Sequence, residues 1–433
     1  MLCEGDTKNF LIVGYGTSGK SAFNFLKSLG HNVYVYDDNI PNTRNVVDNI
    51  NWGVVDYVIK SPGIGFMEHN IHPIIKIAVE HDVPVISCYD LFMMYNPEAR
   101  VISITGTNGK STTTALVHHI LKKSGINSSM GGNIGIPYFD LPRSDVYVFE
   151  MSSYELASSR NLNFDVAAII NIRPDHLDKH GSFENYVIAK HRSLDCSNVK
   201  VISYEDTITY EKYAGAENTI VISRDGNTKA DIYICEGVLM DRGNVILDLS
   251  NFSEIRGKHN HENVAFAYAI CRNFNIPPKE IAKNIASFKS LPHRLNVVRK
   301  INNVLFVNDS KATNPDSASK ALDTYVGYNI FWLVGGRSKK TDPHKDIDPY
   351  LASVRNIYLF GESMDEFYQE FSNMKNCIKC ETMSNALLKA YKDARKETEG
   401  PSVILLSPMC ASFDQFNNFE ERGLEFCKLV NEL

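Results

Sequence analysis

The chain has 433 residues, of which 43% are hydrophobic and 22% are charged, and its net charge is −6. This is the composition of a globular protein of about two to four domains, and the negative charge argues against nucleic acid as the main ligand. No apolar run is long enough for a transmembrane helix, and the N-terminus lacks the regions of a signal peptide. Nine scattered cysteines, including a lone Cys377-x-x-Cys380 pair, indicate free thiols, so we expect a cytoplasmic protein.

Residues 1–91 carry the pattern of a small nucleotide-binding fold. A predicted strand at residues 10–13 is followed by a G-x-G-x-x-G turn that starts at Gly14 and by a helix at residues 20–29. The next strand, at residues 32–36, ends in Asp37, the position that contacts a ribose in dinucleotide-binding folds. The pattern alone is a weak signal, because NAD is only one of the nucleotide diphosphates that such a turn can hold.

A second glycine turn follows the predicted strand at residues 57–59. It contains Ser61 and Gly63, and we expect it to face the first turn. Two anion-binding turns suit the diphosphate of a nucleotide that is part of a substrate. An NAD-dependent oxidoreductase is the alternative function, and it would leave the lysine-containing loop that follows without a role.

Residues 101–123 have the layout of a phosphate-binding loop. A buried strand is followed by a tight turn containing Gly106 and Gly109 and then by a helix. Glycine lets backbone N–H groups approach an anion, and the helix N-terminus adds a positive dipole end. The G-x-x-x-x-G-K-[ST] pattern is incomplete, because Ile104 stands where its first glycine should be. The order of strand, turn and helix nevertheless predicts a bound nucleotide.

Polar residues around this loop supply its chemistry. Lys110 would reach the outer phosphates of the nucleotide, and the hydroxyl of Ser111 or Thr112 would contact Mg²⁺. Glu150 follows a predicted buried strand at residues 146–149, where its carboxylate is a natural ligand of the same ion.

Other polar positions of the central segment are less specific. Asn133 is the one polar side chain of a glycine-rich turn, and His176 follows a strand end, where α/β sheets place ligand-binding groups. Residues 199–250 are predicted to be rich in β-strands and contain no cluster of catalytic or ligand-binding side chains. Asn260 and Asn263 lie three apart in the first turn of a predicted helix, where their amides could contact a base or cap the helix.

The last segment, residues 293–433, alternates strands with polar glycine loops. Strands are predicted at residues 305–307, 329–334, 357–360 and 403–406. This alternation predicts a parallel sheet with its site at the C-terminal ends of the strands. Loops rich in serine, threonine and lysine suit a small anionic amino acid. The charged run at residues 392–399 is predicted to be the solvent-exposed face of a helix.

Taken in order, these motifs resemble the Mur ligases of peptidoglycan synthesis, an ATP-dependent amide-forming family that also includes folylpolyglutamate synthetase. The shortened loop T-G-T-N-G-K-S-T, which ends at Thr112, is the form found in that family and accounts for the missing glycine. The runs that begin at Asp309 and Ser407 are similar to the branch that adds D-glutamate to UDP-N-acetylmuramoyl-L-alanine. The Asp-Asn-Pro-Arg run of the diaminopimelate-adding branch does not occur in the sequence. Two further functions compete with this one: a sibling ligase for another amino acid, and a nucleotide-regulated binding protein without turnover.

The resemblance implies an α/β protein of three domains. These are a small Rossmann-like domain for the UDP-substrate (residues 1–91), a central P-loop ATPase-type parallel-sheet domain for ATP (92–292), and a C-terminal Rossmann-like α/β domain for the amino acid (293–433). It implies ATP, two Mg²⁺ ions and a CO₂-derived carbamate on Lys190 as cofactors. We expect small-molecule substrates, a monomer, no nucleic-acid partner and no membrane insertion. We also expect the third domain to close over ATP, since Asp309 must approach Lys110.

The resemblance also implies roles for individual residues. The catalytic residues are Lys110, His176 and Lys190. The ATP-binding residues are Gly106, Thr107, Asn108, Gly109, Lys110, Ser111, Thr112, His259, Asn260, Asn263, Arg294, Asp309 and Lys311. The UDP-substrate residues are Gly14, Tyr15, Gly16, Thr17, Asp37, Ser61, Gly63, Asn133 and His176. The D-glutamate residues are Thr313, Lys339, Ser412 and Phe419, with Lys340 as the alternative to Lys339. The metal ligands are Ser111, Thr112, Glu150, His176 and Lys190.

An unmodified ammonium cannot bind Mg²⁺, whereas a carbamate on Lys190 has carboxylate-like oxygens that can. In many relatives the acidic residue after the second strand is followed by Thr-Arg, but Asp37 is followed here by Asp38 and Asn39. The contacts to uracil and ribose are therefore the least defined part of the predicted site.

Overall fold

The structure, a computed structural model, describes residues 6–67, 69–133, 135–250, 252, 255–338 and 342–433. The chain divides into two compact units, one comprising Met1–Asn251 and Asn260–Phe288 and the other Phe252–His259 and Lys289–Leu433. The first unit contains two sheets and the second contains one. Each sheet is built largely from parallel strands that alternate with helices, which confirms the predicted α/β class. The domain boundaries near residues 91 and 292 stay a prediction.

The first sheet has four parallel strands and lies within the predicted UDP-substrate segment. Its strands are β1 (Asn9–Val13), β2 (Asn32–Tyr36), β3 (Tyr57–Lys60) and β4 (Val85–Ser87). Its helices are α1 (Thr17–Ser28), α2 (Thr43–Asn49), α3 (Pro73–Glu80) and α4 (Cys88–Tyr95). The strand order is β2-β1-β3-β4, so the loop after β1 opens where the strand order reverses. Ligands of open parallel sheets usually bind at such a point.

The second sheet has nine strands and carries the predicted phosphate-binding loop. Its strands are β5 (Arg100–Thr105), β6 (Ser128–Gly132), β7 (Val146–Glu150), β8 (Phe164–Ile169), β9 (Ser197–Ser203), β10 (Thr219–Ser223), β11 (Ile232–Cys235), β12 (Val238–Asp241) and β13 (Asn244–Asp248). The helices of this segment are α5 (Lys110–Lys123), α6 (Ser153–Ser158), α7 (Leu177–His180), α8 (Phe183–Asp195), α9 (Thr207–Tyr213), α10 (Lys258–Arg272) and α11 (Pro278–Ala286). The strand order is β13-β12-β11-β10-β9-β8-β5-β7-β6, so β5 lies between β8 and β7. Pairing is parallel from β6 to β11 and antiparallel in the last two ladders.

The third sheet has six strands and forms the second unit. Its strands are β14 (Asn296–Ile301), β15 (Val304–Asn308), β16 (Asn329–Gly335), β17 (Val354–Phe360), β18 (Asn376–Glu381) and β19 (Ser402–Leu406). Its helices are α12 (Pro315–Thr324), α13 (His344–Ile347), α14 (Met364–Phe371), α15 (Met383–Ala394) and α16 (Phe419–Glu432). The order is β14-β15-β19-β16-β17-β18, and only the β14–β15 ladder is antiparallel. The loops after β15, β19 and β16 therefore emerge at the same edge of the sheet.

Strand β5 shows why the sequence pattern predicts the fold well here. Val101, Ile102 and Ile104 are fully buried, as expected for a parallel strand that is covered on both faces. Thr105 ends the strand, and its Oγ1 donates to the carbonyl of Met151 at 2.8 Å. The strand therefore places the predicted phosphate-binding loop next to β7.

No helix in the described part of the chain is long and apolar enough to cross a membrane. The cysteines within the described ranges, including Cys377 and Cys380, are free thiols, as predicted.

Candidate active site

In the turn between β5 and α5, two backbone N–H groups donate to Asn171 of a neighbouring loop. Gly106 and Gly109 have φ values of +152° and +87°, which glycine adopts readily. The N–H of Thr107 donates to the Asn171 carbonyl at 2.8 Å, and the N–H of Asn108 donates to Asn171 Oδ1 at 2.9 Å. The loop that follows β8 therefore shapes the predicted phosphate-binding turn.

Asn263 supports this turn from the other side. A Cβ at Gly109 would lie 2.5 Å from Asn263 Oδ1, so the two residues are in close contact. The buried Asn263 amide accepts from Thr113 Oγ1 at 3.2 Å and donates to Asn260 Oδ1 at 3.2 Å. The sequence left base contact and helix capping open for these asparagines, and the structure shows Asn263 bracing α5 and the glycine turn.

Two lysines meet at one carbonyl oxygen of the loop. Lys110 Nζ donates to the carbonyls of Gly106 and Thr107 at 3.0 and 2.9 Å. Lys190 Nζ donates to the same Gly106 oxygen at 2.8 Å and to Thr105 Oγ1 at 3.1 Å. Two of the predicted catalytic residues are thus brought together.

The environment of Lys190 favours its neutral amine. The side chain is only 2% exposed, and burial, followed by the nearby charge of Lys110, lowers the pKa of Lys190 well below its ordinary value. Burial disfavours an ammonium, and a second ammonium at the same carbonyl adds repulsion. The neutral amine is the nucleophilic form of lysine, and it is the form required for reaction with CO₂.

Glu150 lies at the end of β7, next to the strand that carries the loop. It pairs with Ile104 in the β5–β7 register and is 3% exposed. Its Oε1 accepts from Asn133 Nδ2 at 2.9 Å, so Asn133 orients the carboxylate. The two sequence-predicted residues are therefore in direct contact.

The donor atoms of Glu150 and Ser111 suit a Mg²⁺ ion, and the magnesium site itself stays a prediction. No group of three or more histidine, cysteine, aspartate or glutamate residues within the described ranges could hold a metal. Mg²⁺ needs fewer protein ligands, because it keeps water and binds substrate phosphates along with one or two carboxylates. Glu150 and the buried Ser111 at the start of α5 provide the hard oxygen atoms that such an ion prefers.

His176 stands at the start of α7 in a left-handed backbone conformation, with φ +55°. Its side chain is 41% exposed, and its Nε2 lies 3.5 Å from Asp175 Oδ2. The ring centroid is 5.3 Å from that of Tyr154. Its assignment as a ligand of a second Mg²⁺ stays a prediction.

The two glycine turns of the first segment touch each other, as predicted. Ser61 Oγ donates to the Gly14 carbonyl at 2.6 Å, and a Cβ at Gly14 would lie 2.9 Å from the Ser61 Cβ. The Ser61 hydroxyl proton is therefore engaged within the protein. Asp37 closes the first turn, because its carboxylate accepts from the N–H of Tyr15 at 2.6 Å and of Asn39 at 2.9 Å.

A cavity of about 560 Å³ opens between these turns and the second sheet. It is lined by the predicted UDP-substrate residues Gly14, Gly16, Thr17, Ser61, Gly63 and Asn133. Tyr15, Asp37 and His176 are not among its lining residues. The cavity thus joins the glycine turns to Asn133 and, through the bond of Asn133, to Glu150.

Glu155 also lines this cavity and was not predicted from the sequence. It is 3% exposed, and its Oε1 has no hydrogen-bond partner in the described part of the chain. Burial raises the pKa of Glu155 to about 7, while the nearby Tyr138 hydroxyl and, to a lesser extent, the buried Lys60 oppose that rise. The hydroxyl of Tyr138 is directed at Met151 Sδ, 3.5 Å away. An acidic residue five positions after Glu150 was the signal available in the sequence.

The second unit gathers residues assigned to ATP and to D-glutamate. Asp309 is buried, and its Oδ2 accepts from Ser407 Oγ at 2.9 Å. Burial raises the pKa of Asp309 to about 7. Lys311 Nζ lies 3.8 Å from the centre of the Phe419 ring, so one ATP residue and one D-glutamate residue are in contact.

Ser412 is 2% exposed, and Thr313 and Arg294 are half-buried. His259 lies in the first turn of α10. Lys339 and its alternative Lys340 lie outside the described residues.

Comparison with known proteins agrees with this geometry. The Mur ligase middle domain matches residues 104–271, and the Mur ligase, glutamate ligase domain matches residues 293–410. Two relatives named UDP-N-acetylmuramoylalanine–D-glutamate ligase are 34% identical: that of Wolbachia pipientis covers 98% of this chain and 97% of its own, and that of Rickettsia bellii covers 98% of both. The chain belongs to the Mur ligase family.

Solved structures show that this Mur ligase also has the fold of the family. UDP-N-acetylmuramate–alanine ligase MurC of Thermotoga maritima aligns with a TM-score of 0.63 at 16% identity, covering 98% of this chain and 99% of that one. MurF ligase of the same organism, solved in complex with ADP, aligns with a TM-score of 0.59 at 16% identity, covering 100% of this chain and 97% of that one. At such identities the likeness concerns the fold alone.

Proposed function

We propose that this Mur ligase adds D-glutamate to UDP-N-acetylmuramoyl-L-alanine and that ATP activates the accepting carboxylate. The observation that carries the proposal is the bond between Asn133 and Glu150. Asn133 lines the cavity of the glycine turns, and Glu150 ends the strand beside the phosphate-binding loop. A substrate carboxylate that reaches Asn133 would therefore stand next to the γ-phosphate of ATP. The names of the near full-length relatives support D-glutamate as the amino acid.

The proposed reaction solves the problem that a carboxylate is a poor electrophile. A carboxylate oxygen attacks the γ-phosphorus, the bond to the β-phosphate oxygen breaks, and ADP leaves. The amine of D-glutamate then attacks the acyl carbon, loses a proton, and expels inorganic phosphate to leave an amide. Lys110 stabilises the negative charge of the transferring phosphoryl group. Ser111, Thr112 and Glu150 would hold Mg²⁺, which neutralises phosphate charge when bound.

We further propose that Lys190 carries a carbamate. The neutral amine attacks the carbon of CO₂ and loses a proton, which forms an N–C bond and leaves two carboxylate-like oxygens. The burial of Lys190 and its lowered pKa support this step. The carbamate and His176 would hold a second Mg²⁺.

Residues 1–91 would bind the UDP-substrate, residues 92–292 ATP, and residues 293–433 D-glutamate through Thr313, Ser412 and Phe419. Closure of the last segment over ATP stays a prediction. Small-angle scattering with an ATP analogue and substrate should show a smaller radius of gyration, and an unchanged radius would count against closure.

Phosphate release from ATP tests the function. With UDP-N-acetylmuramoyl-L-alanine present, D-glutamate should stimulate release, whereas L-glutamate, D-alanine and diaminopimelate should not. Preference for another amino acid would make the chain a sibling ligase, and no stimulation by any amino acid would make it a binding protein. Lys110→Ala should abolish stimulated release. The matched control is Lys122→Ala, an exposed lysine at the other end of α5, which should behave like the wild type.

A further inference from the structure

A fully buried arginine joins three loops of the second unit. Arg422 lies in the first turn of α16 and is 0% exposed. Its Nε donates to Ser310 Oγ at 2.9 Å, and its Nη2 donates to the carbonyls of Ser310 and Cys410 at 2.8 and 3.0 Å. Its Nη1 donates to the Gly335 carbonyl at 3.4 Å. Ser310, Gly335 and Cys410 follow or end β15, β16 and β19, so one guanidinium ties together the three loops at one edge of the sheet.

In the part of the chain that the structure describes, the positive charge of Arg422 has no close carboxylate partner. Within the described ranges, no aspartate or glutamate oxygen lies at ion-pair distance from its guanidinium. Asp309 and Asp414 act on it at longer range, and each carboxylate already accepts another hydrogen bond, from Ser407 Oγ and from the Glu362 N–H. Burial lowers the pKa of Arg422 to about 10, which leaves it protonated at neutral pH. A buried charge without a counterion is unfavourable. A bound anionic substrate would supply the missing negative charge.

The loops that Arg422 holds are those that carry the predicted D-glutamate residues. Thr313 follows Ser310 by three positions, and Ser412 follows Cys410 by two. Ser310 Oγ, which accepts from Arg422, also donates to the Phe419 carbonyl at 2.8 Å. The guanidinium therefore contacts the backbone of the segments that carry Thr313 and Ser412, and it is linked to Phe419 through the Ser310 hydroxyl.

We propose that Arg422 is the positioning residue of the amino-acid site and that its buried charge selects an acidic amino acid. It acts through the loop carbonyls and Ser310, which fix the loops in one arrangement. D-glutamate has two carboxylates, and once its amine is deprotonated for attack it carries two negative charges. A buried cation lowers the free energy of such a dianion strongly, because the surrounding dielectric is low. The inference rests on the proposed function, since it takes D-glutamate as the substrate.

Steady-state kinetics of Arg422→Met and Arg422→Lys test this inference. Methionine has an unbranched chain without charge, whereas lysine keeps the charge and loses the planar fork. Arg422→Met should raise the KM for D-glutamate at least tenfold, with the KM values for ATP and UDP-substrate within twofold of wild type. Arg422→Lys should raise the KM for D-glutamate less than the methionine variant does. The matched control Arg395→Met, at an exposed arginine after α15, should leave all three values unchanged.

Three results would overturn it. One is a KM for D-glutamate in Arg422→Met within twofold of wild type. Another is a parallel rise of all three KM values, which indicates general damage. The third is an equal effect of lysine and methionine, which removes the role of charge. If the methionine variant does not fold, Arg422→Lys decides alone: a rise of at least threefold confined to D-glutamate supports the inference, and any other pattern refutes it. If the wild type shows no D-glutamate-stimulated phosphate release, the proposed function fails instead.

Discussion

Gly109→Ala tests whether the phosphate-binding turn and Asn263 form one structural unit. Gly109 has φ +87°, and a Cβ there would lie 2.5 Å from Asn263 Oδ1. Real Cβ atoms do not approach so closely, so Asn263 must move. Its movement would break the 3.2 Å bond from Thr113 Oγ1 and disturb the bond to Asn260.

Two separate costs follow from this substitution. A left-handed φ costs a residue with a Cβ about 1–2 kcal/mol. Leaving the buried Asn263–Thr113 pair unsatisfied costs about 1–3 kcal/mol more. We therefore expect Gly109→Ala to lower the free energy of unfolding by about 2–5 kcal/mol. If about 1 kcal/mol of loop positioning is lost as well, the KM for ATP should rise about fivefold.

Gly125→Ala is the matched control. Gly125 follows α5, has φ +79°, and a methyl group added to it would meet no atom within 4 Å. It shares the backbone cost of about 1–2 kcal/mol but not the collision. Urea unfolding followed by circular dichroism, with phosphate-release kinetics, separates the two variants. Equal destabilisation of both variants with an unchanged KM for ATP would refute the role of Asn263.

Two further predictions follow from buried ionisable groups. Burial and Lys110 lower the pKa of Lys190, so its amine can bind CO₂. The kcat of the wild type should therefore fall in CO₂-depleted buffer and recover when bicarbonate is added, whereas Lys190→Met should be inactive in both buffers. Full activity of the wild type without CO₂ would exclude the carbamate. Burial raises the pKa of Glu155 from 4.5 to about 7, so the native state holds a proton that the unfolded state releases, and stability should fall as pH rises through that window. Glu155→Gln removes this pH dependence. Urea unfolding should therefore show that the free energy of unfolding of the variant, relative to that of the wild type, rises by about 3 kcal/mol between pH 4.5 and 8. A difference that does not change with pH would contradict the raised pKa.

The fold was largely predictable because local patterns and tertiary burial agree. The apolar run of β5 is buried on both faces, as the sequence indicates. Helix α1 begins at Thr17, three residues earlier than predicted, because the last residues of the G-x-G-x-x-G turn already form its first turn. Residues 199–250 contain the expected strands and also α9, whose Thr209 is buried against Asp206. Such a polar helix depends on tertiary contacts that no local pattern shows.

The site was predictable where one motif contains all its parts. Gly106, Gly109 and Lys110 belong to a single run, and the structure places the two glycines in the turn and Lys110 at the first position of α5. Composition does not single out Lys190, which reaches Gly106 from 84 positions away and entered only through the family resemblance. Glu155 and Arg422 were not predicted from the sequence because what distinguishes them is their burial, which no local pattern shows. Each is an ordinary charged residue in the sequence and becomes unusual only when packing removes water from it.

The stoichiometry of the complete reaction tests the proposed ligase activity most directly. The enzyme should be incubated with ATP, UDP-N-acetylmuramoyl-L-alanine and D-glutamate, and the products measured by mass spectrometry and phosphate assay. We expect equal amounts of ADP, phosphate and a UDP product heavier by one glutamate less one water. Phosphate released without this amide product, or an amide formed without ATP consumption, would contradict the proposed reaction.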